Sequence, residues 1–293
     1  MSSKRTRDRQ LAKLAARRQQ ERRAAKRRRD LVLGGIGVVA AVALVVVGLS
    51  ILRDSDEGTP SPTTTASPTA SAAPTGAPSP TGETVTPAVQ PPSEVACGAE
   101  APPAAGEPKP QYDRAPGTDT LDPETAYRAV IETSCGRIVV DLDAGGAPRA
   151  VASFVFLAGE GFFDGLTFHR VVPGFVVQAG DPAGDGTGGP GYGFEDELRG
   201  RMRYEEGTLA MANSGPNTNG SQWFVVSGPD GANLDQTPNY TIFGEVVDGI
   251  DVVARIDGVP VEGDRPTQAV YVEAIAIRER SAPADGGAAD GEG

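Results

Sequence analysis

Residues 168–181 read FHRVVPGFVVQAGD, and residues 209–224 read LAMANSGPNTNGSQWF. Both stretches mix apolar and aromatic side chains with uncharged polar ones, and the first adds a single strong base, Arg170. The first offers Arg170, Phe175 and Gln178 around a strand–turn–strand; the second offers Asn213, Gln222 and Phe224. Donors set among aromatic rings suit an extended peptide, because the rings take an apolar side chain while Arg, Asn and Gln bond its backbone. His169 is the only histidine of the chain. A Ser-His-Asp triad would have to use it, yet no nucleophile elbow accompanies it, so it reads as a structural residue beside the site. Metal centres built on His and Cys clusters lack ligands, and no metal or cofactor is expected.

Outward from these stretches, residues 121–280 carry mostly the two-residue period of strands. Ile138, Val140 and Leu142 alternate with Arg137, Val139 and Asp141, Val270–Ile277 is a second β-rich run, and the turn between Ser134 and Gly136 predicts a hairpin. Pro148 suits a first helical position, with Val151, Phe154, Val155 and Ala158 on one face; a shorter helix is expected over Asp248–Ile256. Many short strands and few helices favour a closed β-barrel over a layered α/β fold. Phe175 and Val176 are neighbours on a strand and should face opposite ways; Trp223 reads as core. The GxGxxG at Gly184–Gly189 belongs to no βαβ unit and reads as a surface loop. The sequons at Asn219 and Asn239 are taken as chance.

The two quoted segments resemble the signature stretches of the cyclophilins, the peptidyl-prolyl cis–trans isomerases. The first follows the family pattern Phe-His-Arg-x-x-Pro-Gly-Phe-x-x-Gln-x-Gly-Asp nearly throughout. MANSGPNTNGSQWF follows the second, and GTGGPGYGFEDE and YTIFGEVVDG come in the family order. The resemblance covers about 121–280. It implies a mainly β fold, a closed antiparallel eight-stranded barrel with two capping helices, acting as a monomeric domain on proline-containing polypeptides. It places Arg170 on the catalytic arginine. Phe175, Val176, Phe224 and Leu234 fall on the apolar proline pocket, and Gln178, Ala212, Asn213 and Gln222 on positions that hold the substrate backbone. Three residues depart from the pattern. Val176 replaces a common methionine and trims the pocket, Tyr240 stands at the pocket histidine, and Asn233 replaces the tryptophan associated with cyclosporin binding. Rotation about an imide makes and breaks no bond, so a guanidinium and a pocket suffice where a hydrolase needs a nucleophile. The rival reading is a proline-peptide-binding chaperone or scaffold module with little turnover, which has no need of Arg170.

The remaining chain divides sharply by composition. Residues 1–30 hold 13 Lys+Arg and three acids, although the whole chain has a net charge of −12. This basic tail sets topology; no nucleic-acid partner is expected. Residues 31–52, LVLGGIGVVAAVALVVVGLSIL, are 22 residues without a charge. As a helix they would span roughly 33 Å, enough to cross a hydrocarbon core of about 30 Å. The basic flank puts the N-terminus in the cytoplasm and the rest outside a cell membrane crossed once. Residues 53–120 are rich in Pro, Thr, Ser and Ala and read as a disordered extracytoplasmic linker; residues 281–293 read as a disordered acidic tail. Composition resembles that of a GC-rich bacterium. Cys97 and Cys135, both on the oxidising side of that topology, are expected to bridge the linker to the first hairpin, free thiols being the alternative.

Overall fold

A computed structural model describes residues 77–122, 125–198 and 203–281. The basic tail, the apolar segment 31–52 and the acidic tail beyond Ser281 lie outside the described residues. Among those described, no helix is long and apolar enough to cross a membrane.

A hairpin of β1 (Pro80–Val85) and β2 (Lys109–Tyr112) comes first. Then follow β3 (Thr125–Thr133), β4 (Gly136–Leu142), α1 (Pro148–Gly159), β5 (Arg170–Val172), β6 (Val176–Ala179), β7 (Thr208–Met211) and β8 (Trp223–Val226). A 3-10 turn (Pro229–Gln236) leads to β9 (Ile242–Asp248) and α2 (Ile250–Asp257). The short β10 (Val261–Glu262) and β11 (Arg265–Pro266) pair with each other before β12 (Val272–Ser281). Eight strands make one antiparallel sheet in the order β12-β3-β4-β9-β7-β8-β6-β5.

The sheet curls but does not close into the continuous barrel expected from the sequence. Between its edges, β12 and β5, the segment before β5 supplies a bridge between Thr167 and Tyr271, flanked by Phe168 N–H to Val270 O, Val272 N–H to Leu166 O and Gly165 N–H to Val272 O, each 2.8 Å. Pairing happens before β5 begins. Along β5 itself, Val171 N–H goes to Asp264 O at 2.8 Å, so the ladder cannot continue to β12.

Alternation along the strands divides two apolar layers. On β4, Ile138, Val140 and Leu142 are buried while Arg137 and Asp141 are exposed. Inside the curl, Val177 and Ala179 of β6 and Trp223 and Val225 of β8 join one core. Trp223 is 0% exposed and packs edge-on against Phe154 of α1 and Phe168, with ring centroids 6.1 and 5.6 Å away. Helix α1 buries Val151, Phe154 and Ala158 of the predicted face and Leu157 as well, while Val155 of that face is only partly buried. The residues in between, Val176 on β6 and Phe224 and Val226 on β8, belong to a separate cluster on the other face. A sheet in which every second residue leaves the core thus carries a second apolar surface on its outside.

Residues 77–120 are not the disordered linker expected from composition. They form a strap tied to the sheet by its own backbone. Val95 bridges Ala269, and Ala96 N–H donates to Ala269 O at 2.8 Å. Tyr112 is 2% exposed and meets Phe156 edge-on at 4.9 Å; Lys109, 5% exposed, donates through Nζ to Asp164 O at 2.5 Å. Burial lowers the Lys109 pKa. Prolines exclude a helix, yet an extended strap can satisfy its N–H groups with carbonyls on another element, as Ala96 and Tyr112 do. The Cys97–Cys135 disulfide, with Cα atoms 5.2 Å apart, ties the strap to the β3–β4 turn.

Candidate functional site

One row of residues crosses the outer face of the sheet. Arg170 on β5 lies opposite Gln178 on β6, Gln178 opposite Phe224 on β8, and Phe224 opposite Ala210 on β7. Strand pairing therefore sets a base, an amide and an aromatic ring side by side, from positions far apart in sequence. Arg170 is held on two sides. Its Nε donates to Asp264 Oδ2 at 2.9 Å and its Nη1 to Gln178 Oε1 at 3.3 Å. These use two of the five guanidinium N–H groups and leave three as donors. Its side chain is 37% exposed, so it faces a ligand from solvent.

Beside the arginine lies the outer apolar cluster. Val176, Tyr204, Ala210, Phe224 and Val226 are buried in it, with Val172, Phe175, Ala212, Leu234, Tyr240 and Ile242 packed against them. Phe175 and Val176 both belong to this cluster, contrary to strand alternation. Phe175 precedes β6: it closes a turn in which its N–H bonds Val172 O at 2.9 Å. Asp257 of α2 fixes that turn, accepting the Gly174 N–H on both oxygens at 3.0 Å and the Ser227 hydroxyl at 2.7 Å. Tyr240 packs edge-on against Phe224 at 5.4 Å, and its backbone exchanges two hydrogen bonds with the Tyr204 hydroxyl. Leu234 sits on the 3-10 turn next to the exposed Asn233.

Polar residues flank the cluster. Gln178 Nε2 donates to Gln222 Oε1 at 2.9 Å, and Gln222 Nε2 donates in turn to Gly186 O and Gly188 O at 3.0 and 2.8 Å. Gln178, Ala212, Asn213 and Gln222 line a cavity of about 210 Å³ whose opposite residues come from the loop 186–190. Asn213 donates through its side chain to Asn239 O at 2.9 Å, which steadies the loop before Tyr240. That loop 181–191 winds around the buried Asp181, whose carboxylate accepts the N–H groups of Ala183, Gly186 and Gly188. A Cβ at Gly188 would stand 2.2 Å from Asp181 Oδ1, so only glycine permits this approach. The GxGxxG serves the loop and holds no helix after it. His169 adjoins the site with both ring nitrogens buried; burial depresses its pKa, outweighing the Asp181 charge and the Thr167 backbone, which favour the proton.

Known proteins match the same region. The family described as "Cyclophilin type peptidyl-prolyl cis-trans isomerase/CLD" matches residues 128–277. The chain belongs to the cyclophilins.

Peptidyl-prolyl cis-trans isomerase A of Mycobacterium tuberculosis is 40% identical over 181 residues, covering 54% of this chain and 96% of that protein. Peptidyl-prolyl cis-trans isomerase-like 1 of Aspergillus oryzae is 43% identical over 156 residues, 50% of this chain and 92% of that one. A solved Cryptosporidium parvum cyclophilin, crystallised in the presence of the dipeptide Ala-Pro, covers 52% of this chain and 98% of its own, at 31% identity and a TM-score of 0.48. By its family match and its 40% identity to the mycobacterial enzyme, this cyclophilin is a peptidyl-prolyl cis–trans isomerase. The structure brings Arg170, Phe175, Val176, Gln178, Ala212, Asn213, Gln222, Phe224, Leu234 and Tyr240 together, with the Asn213 amide nitrogen bonded to Asn239 O. Tyr204, Ile242, Asp257 and Asp264 were not found from sequence. No local pattern marks them, since each acts through a partner at least 30 positions away, save Ile242, which alternation on β9 would have exposed.

Proposed function

We propose that this cyclophilin rotates Xaa-Pro bonds of extracytoplasmic proteins from a membrane tether, with Arg170 stabilising the twisted imide over the outer apolar cluster. A planar imide resists rotation by about 18–20 kcal/mol because the nitrogen lone pair is delocalised into the carbonyl. Twisting localises that pair on nitrogen. A guanidinium N–H aimed there stabilises the twisted form more than either planar one, and differential stabilisation of that kind is catalysis. Arginine stays charged at any working pH and presents its donors from a rigid plane. The proline ring rests on Phe175, Val176, Phe224, Leu234 and Tyr240, while Gln178 and Gln222 hold the backbone before it. Reaching millisecond exchange from the uncatalysed ~10–100 s requires about 10⁴-fold, or roughly 5–6 kcal/mol.

The observation that carries this reading is the registered row Arg170–Gln178–Phe224, which sets a held guanidinium at the edge of an apolar floor. It also favours turnover over a passive peptide-binding module, since an apolar floor with amides would bind without the base. The tether reading is supported by the 22 uncharged residues 31–52 behind a basic flank. An external protease added to intact cells tests the tether. Loss of the domain before lysis supports it, and protection until lysis contradicts it. Exchange kinetics of the Arg170→Ala variant test the chemistry.

A further inference from the structure

The polar chain that starts at Arg170 continues beyond the cavity. It runs from Arg170 to Gln178, to Gln222, and to the carbonyls of Gly186 and Gly188. The next carbonyl of the loop, Gly189 O, accepts Gln111 Nε2 from β2 at 2.9 Å, and Pro190 O accepts Tyr112 N–H at 2.8 Å. The strap grips the start of the same loop too, where Ala88 and Val89 N–H both donate to Ala183 O. At Gly191, with φ +91°, a Cβ would lie 2.8 Å from Tyr112 O, so loop and strap backbones are in direct contact. Residues 77–122 precede the region that matches the family, 128–277.

The sequence GDGTGGPG at 184–191 contains five glycines. Such a loop has little side-chain packing and large backbone freedom, so its position has to be imposed by its partners. On one side the partner is Asp181. On the other it is the strap, which is itself fixed by the disulfide, the buried Tyr112 and Lys109.

We infer that the strap is a positioning element of the isomerase site, with Gln111 its key side chain: by setting the glycine loop it orients Gln222, and through Gln222 the Gln178–Arg170 pair. The inference rests on the reading of Arg170 as the catalytic residue. A strap that merely covered the core would change stability alone; a positioning strap changes the site.

The test uses the full chain in detergent micelles, with glutamine side chains labelled for NMR. Gln111→Ala removes the donor, Gln111→Glu removes it at constant volume, and Gln268→Ala breaks a strap contact to Glu94 elsewhere. Loss of one such hydrogen bond is expected to raise KM for an Ala-Pro peptide about 3- to 10-fold. Both Gln111 variants should also shift or broaden the side-chain NH₂ signals of Gln222 and Gln178, while Gln268→Ala leaves KM and these signals unchanged. A folded Gln111→Glu protein with unaltered KM and unaltered Gln222 and Gln178 signals overturns the inference, as does a lowered melting temperature with no change in either. A wild-type chain that fails to accelerate exchange refutes the catalytic reading instead, and the glutamine signals still decide the strap.

Discussion

Asp264 holds Arg170 by its Nε at 2.9 Å, reaching back across 94 residues of chain from the loop between β10 and β11. The same residue's carbonyl accepts Val171 N–H, so backbone and side chain of Asp264 together brace the start of β5. The pair is solvent-exposed on both sides, 37% and 59%, and contributes only about 0.2–1 kcal/mol to stability. Its worth is aim. Replacing Asp264 by Ala should leave the melting temperature nearly unchanged and lower kcat/KM about tenfold, short of the hundredfold that a 1 Å misplacement can cost. Equal activity of variant and wild type would show that Arg170 needs no brace.

Asp257 does for Phe175 what Asp264 does for Arg170. Changing it to Asn weakens the acceptor shared by Gly174 N–H and Ser227 Oγ, for an expected loss of about 1–3 kcal/mol of stability. Peptide affinity should fall several-fold as the Phe175 turn loosens. Denaturant unfolding and peptide titration measure the two effects separately; a stable variant with wild-type affinity would remove Asp257 from the account.

How much of this was legible beforehand follows from the range of each interaction. Period-two alternation on β4 and the Pro148 helix are local, and both stand in the structure where the spacing put them. Site residues lying in long signature stretches were legible through resemblance. Alternation alone would have parted Phe175 from Val176, because a turn set by an aspartate 83 positions away interrupts the strand that alternation assumes; the resemblance put Phe175 at the pocket, where the structure has it. The strap was misjudged because composition reports whether a segment can fold alone. It says nothing of carbonyls such as Ala269 O or Pro190 O that another element offers to its N–H groups. Closure of the barrel failed for the same reason, since Asp264 O takes the donor that β12 would have needed.

The single histidine gives a clean pH signature. Burial pushes the His169 pKa below the ordinary 6.5, so the folded protein resists a proton that the unfolded chain accepts. Stability is therefore full above about pH 6.5 and declines as pH falls from there toward the depressed folded value, by at most about 1.4 kcal/mol per unit. His169→Gln should flatten the decline between pH 7 and pH 5. An unchanged slope would assign it to carboxylates.

The disulfide closes 38 residues of chain. In the chain-entropy account its removal by the paired change of Cys97 and Cys135 to Ser costs about 4 kcal/mol. Urea unfolding of wild type with and without reductant should show the same loss, and a reductant effect retained in the Ser pair would place its origin elsewhere.

The central claim is that one guanidinium drives the rotation. Magnetisation-transfer NMR of an Ala-Pro peptide, with the full chain in micelles and with its Arg170→Ala form, measures this directly. The account predicts millisecond-scale exchange with the wild type and a loss of at least a hundredfold, about 2.7 kcal/mol, in the variant, with peptide binding largely kept. Exchange that stays fast without Arg170 would contradict it.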